Sequence, residues 1–276
     1  MDASDDTAAA DAEYRAWMVD NLHLAAGHFG VDVVGDPHHG WRERSISAPV
    51  TSNGGDLWLR VVSEDQQWAD GDHWTGNLDA NQITGLPKPS VLDFWEWDEW
   101  RRQRADLMTR LPGRACSPTD VLHTTLNLPD TWWNQLRRTV QTLAGTPTSR
   151  VNISPTRLAT RMHDHYGSQA ESRAPAWETV HGDLHWGNLL VPFGVVDWEL
   201  WGRGPVGTDA ATLYAYSLLV PDVARRVHDV FADVLDTDSG RFAMLHVAAR
   251  LLGRVDGGDH PELREPLSTL IASLRC

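Results

Sequence analysis

The sequence predicts an α+β protein in two parts: a small antiparallel β-sheet with a leading helix in residues 1–97, and a mainly helical part in residues 98–276. Three observations carry this expectation. Residues 31–62 alternate short apolar runs with glycine-bounded turns, and Ser52-Asn53-Gly54-Gly55 is a strong hairpin signal. From Asp98 onward apolar residues recur at helical intervals. Between the helical segments, a loop dense in His, Asp and Asn at residues 181–188 is followed by an apolar run that ends in Asp197.

The elements follow in order. Residues 9–29 place Trp17, Met18, Leu22, Ala25 and Phe29 at loosely helical spacing, with Gly27 or Gly30 as the stop. Residues 31–34 read as a strand, Gly35 to Gly40 as a loop, 41–50 and 57–62 as two further strands, and 76–83 as a short helix closed by Gly85 and Pro87. Residues 91–95 read as a strand leading into Glu96-Trp97. Helices are expected over 98–110 and 130–144, where Leu, Arg and Gln are good formers, and over 155–166. The apolar runs 189–191 and 193–196, around Pro192 and Gly194, suit a hairpin beside the loop at 181–188. Four helices are expected after it, over about 208–220, 221–235, 239–254 and 261–275; Thr208 and Asp222 suit starts, and Gly253, Gly257 and Gly258 suit stops.

Composition bounds the function. A chain of 276 residues, 41 % hydrophobic, has ample material for a core. No apolar run approaches the length that spans a bilayer. Residues 1–11, from Met1 to Asp11, are acidic and Ala-rich, unlike a signal or transit peptide. The two cysteines, Cys116 and Cys276, form neither a disulfide framework nor a C-x-x-C pair, and no lipidation box surrounds Cys276. A soluble cytoplasmic protein is expected. The formal charge of −14 disfavours a broad nucleic-acid footprint and is compatible with a cationic small-molecule partner, although charge alone does not identify one. Fourteen tryptophans against five phenylalanines fall partly in clusters, at Trp95, Trp97 and Trp100 and at Trp132-Trp133. Such residues usually fill core space with the N–H satisfied at its rim.

Residues 181–188 read His-Gly-Asp-Leu-His-Trp-Gly-Asn, and Asp197 follows Asp183 by fourteen positions at the end of the run Val195-Val196. Moving a phosphoryl group from ATP needs an aligned nucleophile and clamped phosphates whose charge is neutralised by a hard cation such as Mg²⁺. Asp183 can orient a hydroxyl, and Asn188 and Asp197 supply oxygen ligands. A rival reading takes His181, Asp183 and His185, with His163 and His165 upstream, as ligands of a Zn²⁺ hydrolase. It accounts for neither Asn188 nor the strand-end Asp197.

The spacing H-x-D-x-x-x-x-N matches the kinase catalytic loop, but Gly182 stands where protein kinases usually carry Arg, and Asp197-Trp198-Glu199 where they carry Asp-Phe-Gly. With Gly202, Gly204-Pro205, Gly207 and Asp209-Ala210-Ala211 following, the block resembles the aminoglycoside phosphotransferase and choline kinase-like family of small-molecule kinases. The resemblance implies a protein-kinase-like two-lobed fold with ATP between the lobes. It implies Asp183 as the catalytic aspartate, Asn188 and Asp197 as Mg²⁺ ligands, His181 as a scaffold residue bonded to backbone, and Asp209 as a tie between the next helix and the loop. In the same register Gly35 to Gly40 would cover the phosphates, and Arg60 takes the place of the family's strand lysine. Arg60 retains the charge without being equivalent to lysine. Asp79 is the candidate acidic partner of that cation, Glu96-Trp97 the hinge that grips adenine, and Glu199 a candidate contact for the acceptor. The favoured acceptor is a hydroxyl-bearing antibiotic. A kinase of an amino alcohol, sugar or nucleoside, and a nucleotide-binding pseudokinase, are the alternatives.

Overall fold

The computed structural model describes residues 3–168 and 170–275, with burial from residue 10 on. Met1 and Cys276, which enter the composition argument above, lie outside the described residues. By internal contacts the chain divides into two compact units, Met1–Gln82 with Pro89–Leu111, and Ile83–Lys88 with Pro112–Cys276.

The first unit is a sheet with a helix on one face. Helix α1 (Ala3–Phe29) leads, followed by strands β1 (Asp32–Val33), β2 (His38–His39), β3 (Ser45–Ser52) and β4 (Gly55–Glu64), helix α2 (Gly71–Asp79), and strands β5 (Val91–Asp98) and β6 (Arg102–Thr109). The strand order is β1-β3-β4-β6-β5, with β2 also on β3, and every pairing is antiparallel. Strand alternation sorts the side chains. Ile46, Ala48, Val50, Leu59, Val61, Ala105 and Leu107 all pack against Met18, Leu22, Ala25 and Ala26 of α1. The other face carries Arg104 and Asp106, which are 2 % and 3 % exposed and bonded to each other, Arg104 Nε to Asp106 Oδ1, at 2.9 Å. Two buried ionic groups of this kind are tolerated because each is paired and hydrogen-bonded.

Three expectations fail here. Residues 98–110 are not a helix: β6 pairs residue by residue with both β4 and β5. Its Arg, Gln and Leu residues have good helix propensity, but the alternation of Ala105 and Leu107 with Arg104 and Asp106 fits a sheet buried on both faces, and tertiary context wins. By internal contacts the first unit runs on through β6 to Leu111, and Ile83–Lys88 belong to the second. Glu96-Trp97 is not a hinge either, because β5 turns back into β6 within the same unit. Glu96 accepts hydrogen bonds from Trp74, Arg102 and Arg104, and Trp97 packs on the α1 side of the sheet. Finally, the loop Gly35 to Gly40 contains β2. β1 and β2 are two pieces of one edge strand beside β3, broken at Gly35 (φ 87°), and the turn into β3 is Gly40 to Arg44.

The second unit is mainly helical. After β7 (Arg114–Ala115) come helices α3 (Asp130–Ala144) and α4 (Pro155–Tyr166), strands β8 (Trp177–Val180), β9 (Leu189–Val191), β10 (Gly194–Val195) and β11 (Gly202–Pro205), and helices α5 (Thr208–Ala215), α6 (Pro221–Leu235), α7 (Asp238–Asp256) and α8 (Arg264–Leu274). Caps fix several boundaries. The Ser154 hydroxyl accepts from Arg157 N ahead of Pro155, and Thr237 accepts from Gly240 N. Two short ladders, β10-β9-β7 and β11-β8, frame residues 181–188. Trp132, Trp133 and Trp186 are buried and in mutual ring contact. Among the described residues no helix is long and apolar enough to cross a membrane.

The sheet–helix core of the first unit gives a direct test. Leu22 is fully buried between α1 and the sheet. Leu22→Ala is expected to lower unfolding free energy by about 2–5 kcal/mol, measured as a shift of the urea midpoint with an unchanged slope.

Candidate active site

The loop at residues 181–188 is held by hydrogen bonds converging from three directions. Asp209, in the first turn of α5, accepts from the backbone N–H of His181 at 2.7 Å and of Gly182 at 2.9 Å. Two adjacent amides face one carboxylate because Gly182 adopts φ 83°, a conformation costly for other residues. A Cβ there would also collide with the Asn152 side chain and the Leu200 carbonyl. Burial pushes the Asp209 carboxyl up to about 7, against the two amide bonds that favour its charged form. Arg250 of α7 donates Nη1 to the Gly182 carbonyl (2.9 Å) and Nη2 to the Thr212 hydroxyl (3.1 Å). The Nε2 of buried His181 lies 3.1 Å from the Val196 carbonyl, and Val196 N donates to the Asn188 carbonyl at 3.0 Å. These bonds anchor Asp197, the next residue, to both ends of the loop.

Within the loop, Asn188 donates Nδ2 to the Asp183 carbonyl at 3.0 Å and lies 3.1 Å from His185 Nε2. His185 Nε2 in turn lies 3.4 Å from Asp183 Oδ2 and 3.6 Å from Asp120 Oδ1. Burial disfavours a charged His185, but Asp183, Asp120 and Asp197 together raise its pKa, so all three carboxylates act on one imidazole. Burial likewise opposes ionisation of Asp183; His185, Arg250 and His181 overcome it and hold the carboxyl well below its usual range. Asp197 takes φ 62°, the left-handed region that a non-glycine residue occupies only when its surroundings impose it.

The sequence-predicted residues thus fall into two groups. Asp183, Asn188, Asp197, His181 and Asp209 are joined by the bonds above, all within the second unit. Glu199 is buried beside them, its carbonyl accepting from Arg150 Nη2 at 3.3 Å. Arg60, Gly35, Gly40, Glu96 and Trp97 belong to the first unit. There Arg60 of β4 lies opposite Asp106 of β6, and its charge acts on that carboxylate. Asp79, its expected partner, accepts from the Thr75 hydroxyl at 2.6 Å.

Sequence reasoning missed Asp120. It sits in the turn after Ser117-Pro118, facing His185 and His260, and is bonded by Arg254 Nη1 (2.8 Å) and the Tyr216 hydroxyl (3.3 Å). His185 and Arg254 hold it ionised despite its burial. Only the turn composition was visible in the sequence; its partners come from α5 and from α7 and its following loop. The zinc reading loses its ligands: His181 directs Nε2 at a backbone carbonyl, and His163 and His165 lie exposed in the last turn of α4. Among the described residues no three His, Cys, Asp or Glu side chains are grouped to hold a metal ion.

A sheet-bearing unit, a helical unit and this loop define a small-molecule phosphotransferase of protein-kinase-like α+β fold. The model of the phosphotransferase enzyme family, APH, matches residues 50–245, more than half of the chain, and the protein belongs to that family. Solved structures of similar fold include a thermostable mutant of aminoglycoside phosphotransferase APH(4)-Ia in ternary complex with ADP and hygromycin B, with 15 % identity, 92 % of this chain and 97 % of that chain covered, and a TM-score of 0.61. Macrolide 2'-phosphotransferase MphH from Brachybacterium faecium is similar at 14 % identity, with 91 % and 97 % covered and a TM-score of 0.57. The GDP and kanamycin complex of APH(2")-IIia follows at 16 % identity, with 89 % and 91 % covered and a TM-score of 0.53. At these identities the likeness shows the fold. No curated protein sequence matches the chain significantly.

His181 makes the loop sensitive to acid. Burial lowers its pKa from 6.5 to about 4, so the folded form holds it neutral. Its contribution to stability is full above pH 6.5 and declines as the pH falls from 6.5 toward 4, by at most about 3 kcal/mol. Unfolding free energies across that range are expected to fall more steeply for the wild type than for His181→Gln.

Proposed function

We propose that the protein transfers the γ-phosphoryl group of ATP to a hydroxyl of a small molecule, with Mg²⁺, in the cytoplasm where ATP is supplied. The observation that carries this reading is the joining of Asp183, Asn188 and Asp197 through the Asp209 and His181 hydrogen bonds. The donor set fits a hard cation. Asn188 spends its amide nitrogen on the Asp183 carbonyl and His185, which leaves its carbonyl oxygen for a metal, and Asp197 adds a carboxylate. When bound there, Mg²⁺ neutralises phosphate charge; one amide and one carboxylate are the few protein ligands that this water-retaining ion usually takes.

Asp183, kept ionised by its basic neighbours, orients the acceptor hydroxyl and accepts its proton as the oxygen bonds to the γ-phosphorus and the bond to the β–γ bridging oxygen breaks. His181 carries no proton in this scheme, being buried, neutral and bonded to backbone. Arg60, held between β3 and β6, is the candidate cation for the phosphates in place of lysine, and Gly35 and Gly40 are the candidate phosphate-covering glycines. Glu199 is the candidate acceptor contact.

The acceptor class has two readings. An antibiotic acceptor, such as an aminoglycoside, with resistance as its consequence, is supported by the hygromycin B and kanamycin bound in proteins of similar fold. A kinase of an ordinary metabolite is favoured by the second unit itself. There Asp120, which shares His185 with Asp183, is already paired with Arg254, as is Asp259, so fewer carboxylates remain for a polycation.

Asp183→Ala is expected to reduce phosphoryl transfer by about 10²–10⁴-fold or more while nucleotide affinity stays near the wild-type value. Asp197→Ala is expected instead to weaken Mg²⁺-dependent nucleotide binding. Steady-state transfer rates and calorimetric nucleotide titrations separate the two effects; equal turnover in wild type and Asp183→Ala refutes the assignment.

A further inference from the structure

Helices α4 and α7 pack together through Leu158 and Met162 on one and Phe242 and Leu245 on the other. Along this contact four basic side chains collect. Arg157 and Arg161 stand one turn apart on α4, and His246 and Arg250 one turn apart on α7, so each pair shares a helix face. Arg161 Nη1 lies 3.4 Å from His246 Nε2. Arg250 reaches the Gly182 carbonyl, which places that end of the cluster beside the residue preceding Asp183.

This arrangement is costly as it stands. Burial and then the charges of Arg250 and Arg157 push the Arg161 guanidinium down to about 10, and burial with Arg161 and Arg250 drives His246 well below its ordinary value. Arg157 also lies in the first turn of α4, where the helix dipole disfavours a cation and no acidic residue offsets it. Among the described residues, neither Arg157 nor Arg161 has a carboxylate within ion-pair range. The carboxylates whose fields reach Arg250, Asp183 and Asp209, are engaged by His185 and by two backbone amides. Two buried nitrogens have no hydrogen-bond partner at all, Nδ1 of His246 and Nε of Arg250, and His246 is only 2 % exposed. Unsatisfied buried donors beside uncompensated guanidinium groups describe a site shaped for an anion.

Resting on the phosphotransfer reading above, we infer that Arg157, Arg161, Arg250 and His246 receive an anionic group of the acceptor, a carboxylate or a phosphate ester, while its hydroxyl meets Asp183. Guanidinium forks bind both groups bidentately, and the position beside Gly182 keeps charge recognition and reacting hydroxyl within one small molecule. A polycationic acceptor is repelled by the same residues. The substrate class is therefore a hydroxy acid or a hydroxyl-bearing phosphate ester.

The test uses the full chain saturated with AMP-PNP and Mg²⁺, so that the nucleotide site is filled. Inorganic phosphate and, separately, acetate are titrated calorimetrically into wild type, Arg161→Gln and Arg161→Lys, with AMP-PNP binding as the check on folding. Saturable binding of either anion is expected in the wild type, weakened about tenfold or more in Arg161→Gln and partly restored in Arg161→Lys. Phosphate binding assigns the ester, acetate binding the carboxylate. Equal affinities of wild type and Arg161→Gln for both anions overturn the inference. Matched acceptors, ribose with ribose 5-phosphate and glycerol with glycerate, then read transfer: a preference for the anionic member, with KM rather than kcat changed by Arg161→Gln, supports it, and a preference for kanamycin overturns it. If no acceptor is phosphorylated while anion binding persists, the phosphotransfer reading fails and the anion site stands.

Discussion

One buried carboxylate organises the second unit. Asp209 receives two consecutive backbone amides at the start of the 181–188 loop. The amides can aim at one acceptor only because Gly182 takes a left-handed conformation. Arg250 then fixes the carbonyl of the same glycine, and His181 fixes Val196. Asp183 is thus positioned by backbone geometry on both sides rather than by its own side-chain contacts. The segment after β10, the start of α5 and the neighbouring helix α7 all contribute bonds, which is how a loop acquires the precision of regular structure.

The two units solve different problems with polar groups. In the first, the sheet buries an apolar face under α1 and keeps a paired ionic face, with Glu96, Arg104 and Asp106 bonded in series and Asn77 of α2 lying 3.4 Å from Asp106. Glu96, Arg104 and Asp106 each have a charged partner, and the network fixes strand register as well as helix placement. In the second, charges are left less completely matched. His185 answers to three carboxylates, while Arg157 and Arg161 of α4 and Arg250 of α7 answer to none nearby that is free. Imbalance of this kind is expected where a ligand completes the set.

Legibility in the sequence followed the range of the interactions. The 181–188 block, Asp197 and the start of α5 were readable because the chemistry demands fixed residue types at short spacing, and α3, α4 and the β3–β4 hairpin because periodicity and turn chemistry act locally. Strand β6 was misread as helix because Arg102, Gln103, Arg104 and Leu107 favour helices in isolation. Only pairing with β4 and β5 on both edges makes them a strand. The displaced turn at Gly40 to Arg44 has a similar cause, since the break within the edge strand depends on where β3 lies. Asp120, Arg250 and Arg254 had no local signature at all; they meet the loop only after the chain has folded.

The glycine at position 182 also removes a means of control. Protein kinases that respond to phosphorylation do so through an arginine that captures the new phosphate and orders a loop. Here the equivalent position lies against Asn152 and Leu200, and no side chain fits it. A phosphate attached elsewhere on the chain would therefore find no guanidinium at this position through which to order the loop.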